Sequence, residues 1–123
     1  LGGAMFELSL CYLKQDKKKE AIILLKELLI LHEEDPLANP ELFADTLFQL
    51  GQCHEQALNY RKARDYYQRS VDIREKLYGL LNEEVASSMM HLARCLLRID
   101  EISEATMLQQ QADQIISALK SRA

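Results

Sequence analysis

Residues that interrupt regular structure are scarce in this chain of 123 amino acids, which holds two prolines and four glycines. Few points therefore oblige a helix to stop, and the strong helix formers Leu, Ala, Glu, Lys, Gln and Arg dominate. Positive charge is not in excess. The formal net charge is −4, which argues against nucleic acid as a partner, because phosphate binding needs a basic face. No long apolar run exists either. Ala21–Leu25 is interrupted by Lys26 and Glu27 before Leu28–Leu31, well short of the ~20 residues that insert across a membrane. Three cysteines, an odd count, and no signal-like start argue against a disulfide framework. Free thiols suit a reducing, cytoplasmic compartment. Also missing are a glycine-rich phosphate loop, a histidine pair at zinc spacing and a serine on a strand-to-helix turn. The expectation is a protein that is no enzyme and holds no cofactor or metal. Hydrophobic residues at 48% beside 28% charged residues describe a folded chain rather than a disordered one.

What the chain does have is a period. Leu50-Gly51-Gln52-Cys53 is matched 42 residues earlier by Leu8-Ser9-Leu10-Cys11 and 42 later by Leu92-Ala93-Arg94-Cys95, and Ala21, Ala63 and Ala105 keep the same spacing. Periods of 20–50 residues mark repeat arrays. Helical spacing of apolar residues predicts helices over 4–14, 18–34, 40–57, from the cap Asn59 to Tyr78, over 82–97, and from Asp100 or Glu101 through Leu119. Asn39 ahead of Pro40 and Asn82 ahead of Glu83-Glu84 read as N-caps. Gly79 is placed to end the fourth helix in the left-handed conformation. No strand-like alternation occurs. The fold class expected is all-α: a right-handed α-solenoid of three helix–turn–helix hairpins, six antiparallel helices in one domain over 1–123. Its repeats fall at about 2–35, 40–78 and 82–120.

Small residues recur at Ser9, Gly51 and Ala93 in the first helix of each pair and at Ala21, Ala63 and Ala105 in the second. They mark the crossing within each hairpin. Met5, Leu47 and Met89 fill the turn before, and Tyr12, His54 and Leu96 the turn after. Leu28, Ser70 and Ala112 are expected to face the next hairpin, and the cysteines to pack inside their own. Small residues at these offsets, four after a bulky one, resemble the tetratricopeptide repeat. That family's usual repeat is shorter and closes on a proline, where this chain has Glu33, Glu75 and Ser117. The longer form, with Ile73-Arg74-Glu75-Lys76-Leu77-Tyr78-Gly79 and then Glu84-Val85-Ala86, resembles the kinesin-light-chain type of that repeat. The likeness is strongest over 44–113 and weaker in the first repeat, where Ser9 and Leu28 depart from it. HEAT and armadillo repeats have a compatible period but lack the paired small-residue crossings.

The resemblance implies a scaffold or cargo adaptor that binds a protein or peptide. In such solenoids the outer face of each first helix lines a concave groove. Here that face carries Phe6, Leu10 and Lys14, then Asp45, Phe48, Gln52 and Glu55, then Met90, His91, Arg94 and Arg98. Phe6, Phe48 and Met90, 42 apart, are expected to form an apolar line, with Arg94 and Arg98 taking a partner's carboxylates. The alternative is that these residues pack against neighbouring first helices. The asparagine and lysine set that clamps chaperone C-termini in some tetratricopeptide domains is not reproduced. Cys53 and His54, adjacent on a helix, point about 100° apart and make no ligand pair. Lys17-Lys18-Lys19 reads as a solvated turn.

Ile23 and Ile30 fall on an outer face where later repeats carry Asp65 and Met107, then Asp72 and Gln114. They raise the rival reading of an architectural segment that packs on flanking repeats or forms a homo-oligomer. A start without Met and an unfinished N-terminal end fit a piece of a longer array. The polar run Gln109-Gln110-Gln111 with Asp113 and Gln114 suits a cap at the other end.

Overall fold

A computed structural model describes residues 2–122. Six helices follow one another: α1 (Gly2–Lys14), α2 (Lys18–Glu34), α3 (Pro40–Gln56), α4 (Tyr60–Tyr78), α5 (Glu83–Arg98) and α6 (Ile102–Ser121). No strand occurs among the described residues. Each helix packs on the next in sequence, and α1 also touches α3. The fold is an all-α repeat solenoid of three hairpins. Among the described residues no helix is long and apolar enough to cross a membrane.

The ends of the helices follow local chemistry. Asn39 Oδ1 accepts from the Leu42 N–H at 3.1 Å, and Asn82 Oδ1 accepts from Glu84 N–H at 2.8 Å and Val85 N–H at 3.2 Å. Each bond satisfies a donor that the first helical turn leaves unpaired. Asn59 precedes α4 but makes no such bond. Gly79 has φ +79° with ψ 178°, an extended mirror conformation rather than the left-handed helical one expected, and one essentially reserved for glycine.

The turn inside each hairpin is the same turn three times. Asp16, Leu58 and Asp100 have φ of 61°, 65° and 64°. The following N–H reaches back to a carbonyl of the helix: Lys17 to Tyr12 at 2.8 Å, Asn59 to His54 at 2.8 Å, Glu101 to Leu96 at 2.9 Å. This is a Schellman closure. Aspartate tolerates the left-handed region; leucine pays about 1–2 kcal/mol for it.

The apolar core runs through the stack. Ala63, Tyr67, Val71, Met89, Leu92, Cys95 and Leu96 form its larger part, and Leu25, Leu50 and Cys53 a second cluster between the first two hairpins. At the second crossing, a Cβ on Gly51 would stand 2.7 Å from the Tyr67 ring, so glycine there is what admits a tyrosine. Two expected orientations are corrected. Ser70 Oγ donates to the Ala44 carbonyl of its own hairpin at 2.9 Å, and Leu28 lies near Gly2. That position therefore faces inward, because α2 and α4 each lie over their own first helix there. Cys53 and Cys95 are buried, but Cys11 is exposed: the position looks towards the preceding hairpin, and no described helix precedes α1.

Candidate functional site

Three depressions lie in series along the first helices. The first, about 340 Å³, is bordered by Leu10, Leu13 and Lys14 of α1, Lys18, and Gln49, Gln52, Cys53 and Gln56 of α3. The second, about 310 Å³, lies between α3 and α5 and shares Gln52 and Gln56, adding Glu55, Tyr60, Arg94 and Arg98. The third, about 550 Å³, shares Arg94 and adds Glu83, Ser87, Met90 and His91 of α5 with Ile116, Leu119 and Lys120 of α6. Shared walls make the three one trough.

The helical period puts these side chains there. Leu10, Gln52 and Arg94 occupy one repeat position, and Lys14, Gln56 and Arg98 another, one turn along the same face. Of the residues expected in the groove, Leu10, Lys14, Gln52, Glu55, Met90, His91, Arg94 and Arg98 line the trough. Phe6, Asp45 and Phe48 do not. Phe6 packs against the Leu25–Leu50–Cys53 cluster. Asp45 takes the Arg74 guanidinium at 2.9 Å. Phe48 sits beneath His91, Tyr67 and Arg74, with ring centroids 4.9 Å and 5.4 Å away and the Arg74 carbon 4.7 Å above its face. The expected apolar line is thus partly covered by the next hairpin at two of its three members, Phe6 and Phe48, which are half-buried. Met90 alone stays exposed, at 37%.

Arg94 is also committed. Its Nε and Nη2 donate to the two oxygens of Glu55 at 2.7 Å and 3.0 Å, and the Tyr67 hydroxyl donates to the same carboxylate at 2.7 Å. Burial alone would raise the Glu55 carboxyl, but the bonds from Arg94 and Tyr67 outweigh it and hold it below its ordinary range. Burial and the Glu55 carboxylate together push the Tyr67 hydroxyl far up. The clasp fixes α5 to the second hairpin and neutralises one arginine of the trough. The other cations are Lys14, Lys18, Arg98 and Lys120, of which Arg98 lies 5.8 Å over the Tyr60 ring. Against them stands Glu83. In a chain of net charge −4, this wall is locally basic.

The residues missed from sequence are Ile116, Leu119 and Lys120 of α6, Lys18 of α2 and Tyr60 of α4, because the wall was assigned to first helices alone, and Cys53 and Glu83 on the first helices themselves. Lys18, read as part of a solvated turn, borders the first depression. For α6 the one available signal was that Ile116 and Leu119 continue its apolar face past Ile115. Among the described residues no group of three or more His, Cys, Asp or Glu could hold a metal ion.

The tetratricopeptide repeat family model matches residues 42–115, and a second model of the same description matches 3–33. No curated protein sequence matches the chain. Solved structures do. BtubC (BKLC) from P. vanneervenii superposes with a TM-score of 0.88 at 20% identity, over 97% of this chain and 47% of that one. The nearly identical TPR-like repeats of a Podosopora anserina protein described as a kinesin light chain give 0.76 at 18% identity, over 93% and 54%. The TPR domain of Arabidopsis FLU gives 0.75 at 17%, over 98% and 95%. The chain thus spans about half the length of the first two.

Proposed function

Because the chain belongs to the tetratricopeptide repeat family, we propose that it is a protein-interaction scaffold whose trough holds a segment of a partner protein. The segment's chemistry follows from the wall. Met90, Ile116 and Leu119 border the 550 Å³ depression, which has room for one or two large apolar side chains. Lys14, Lys18, Arg98 and Lys120 favour carboxylates on either side of that anchor. The partner segment is therefore apolar at its anchor and acidic around it. The carrying observation is that the 550 Å³ apolar depression runs on into two depressions whose walls carry Lys14, Lys18 and Arg98, on a chain that is acidic overall. Arg94 orients the segment only by leaving Glu55, so Arg98 and Lys120 act as the primary cations. Exposed, unpaired Cys11 fits a reducing compartment, and scaffold and adaptor roles fit a protein with this trough.

Selection from a displayed peptide library against the whole chain tests the reading. Selected peptides should carry an apolar residue flanked by Asp or Glu. Leu119→Glu should weaken them at least about tenfold, the loss of one buried leucine contact. Arg98→Glu should weaken them several-fold and flatten the salt dependence. Peptides that bind Leu119→Glu and the parent chain equally well refute the trough as the site.

A further inference from the structure

The repeat permits a position-by-position comparison of what is covered and what is bare. Leu8, Leu50 and Leu92 occupy one repeat position and are 45%, 0% and 0% exposed. At the next turn Cys11 is exposed, whereas Cys53 and Cys95 are 3% and 0% exposed. On the second helices Leu31 is 42% exposed, whereas Ile115, two repeats on, is 7% exposed. In the second hairpin the cover is known: Leu25 of α2 lies on Leu50 and Cys53. Hairpin 1 thus presents bare, on α1, the surface that α3 buries beneath the second helix of the hairpin before it.

Charge identifies what would fit there. Glu20, Glu27 and Glu34 run seven apart along α2, where α4 carries Lys62, Arg69 and Lys76. In α4 this stripe faces the preceding second helix: Arg69 reaches Glu33 of α2 at 3.2 Å. The same position in α2 holds the carboxylate of Glu27, and none of the four ion pairs among the described residues involves Glu20, Glu27 or Glu34. A second copy of this chain does not fit. Paired face to face, two copies oppose carboxylate to carboxylate. Stacked head to tail, they set Leu8 and Cys11 on Gln109 and Asp113, which stand where α2 has Leu25 and Leu29 and hydrogen-bond each other at 3.2 Å.

We propose that the end face made by α1 and α2 docks a basic amphipathic helix from outside residues 1–123. That helix is seated on α1 as α2 is seated on α3. Its apolar stripe covers Leu8, Cys11 and Leu31, and its cations face Glu20, Glu27 and Glu34. The site is separate from the trough.

The probes are two helix-stapled peptides of residues 18–34, the chain's own seated helix, both carrying Glu20→Lys, Glu27→Lys and Glu34→Lys, one with Glu33→Lys as well (the lysine peptide) and one that keeps Glu33. Fluorescence anisotropy against the whole chain should show binding that Leu8→Glu weakens at least about tenfold. Leu119→Glu should leave it unchanged, which separates this site from the trough. Glu27→Lys in the chain should weaken the lysine peptide and strengthen the peptide that keeps Glu33, reversing the preference. Leu8 and Glu27 are both exposed, so circular dichroism should show both variants folded. Absence of binding, equal affinity for the two peptides, or a concentration-dependent dimer of the chain that Leu8→Glu dissolves would each overturn the assignment.

Discussion

Gly51→Ala sets two effects of similar size against each other, and the structure decides between them. Alanine is the better helix former by about 1 kcal/mol in a helix interior. Its Cβ, however, would stand 2.7 Å from Cδ1 and Cε1 of Tyr67 and 3.1 Å from Cγ. The ring cannot swing aside cheaply: it is fully buried, and its hydroxyl is held to Glu55 at 2.7 Å. Over-packing of a filled core costs about 1–3 kcal/mol, and a tethered ring belongs in the upper half of that range. The net effect is a destabilisation of about 1–2 kcal/mol, or a fall in Tm of about 3–10 °C for a domain of this size. Thermal unfolding followed by circular dichroism measures it. The double variant sharpens the test. In the other hairpins Ser9 is matched with Leu25, and Ala93 with Gln109, at the positions of Gly51 and Tyr67. With Tyr67→Leu in the background, Gly51→Ala should become stabilising, so the two sites should couple by about 2–3 kcal/mol. A rise in Tm from Gly51→Ala alone would refute the crossing as described.

Leu58→Gly should raise the urea midpoint, since it relieves the left-handed strain of a 70% exposed leucine. The gain of about 0.5–1 kcal/mol is net of glycine's greater backbone entropy, and a lowered midpoint would contradict it. Burial lowers the pKa of His32 and of His54, the latter helped by Lys62 and Lys26, and His54 Nε2 has no hydrogen-bond partner. Because the unfolded chain then takes up protons that the fold resists, stability is complete above pH 6.5 and is lost as pH falls below it. The urea midpoint should therefore drop between about pH 7.5 and about pH 5.5, while Glu55 stays ionised; an unchanged midpoint would count against the burial. A thiol reagent should titrate Cys11 alone in the native protein and all three cysteines in denaturant. Burial raises the Cys53 thiol and pushes that of Cys95 up to about 12. Rapid native reaction at Cys53 or Cys95 would mean that the hairpins open.

The period of 42 made the six helices legible to within two residues at most ends, because caps such as Asn39 and Asn82 and the small-residue crossings recur with it. Positions whose neighbours lie in the same hairpin were readable. Contacts that depend on how one hairpin leans on the next were not. Phe48 and Met90 share a register position, yet only Met90 is bare, since α5 lies over Phe48 and no described helix lies over Met90. Glu55 and Arg94 sit at different repeat positions, and no periodic pattern announces their pairing. Leu58 gave no sign of its left-handed backbone, because the closure of the turn imposes a conformation that leucine does not favour by itself.

The clasp of Glu55 by Arg94 and Tyr67 has a mechanical consequence. Together with Arg74, which reaches both Asp45 and Ser88, it welds the second and third hairpins through charged bonds. The first and second are joined by the apolar Leu25–Leu50–Cys53 cluster, and their polar links are a neutral 3.3 Å contact between Thr46 and His32 and the exposed Arg69–Glu33 pair. The chain is thus a lever with one rigid joint and one pliant one. Stretched from its ends, it should yield between α2 and α3, leaving α3–α6 to move as a block.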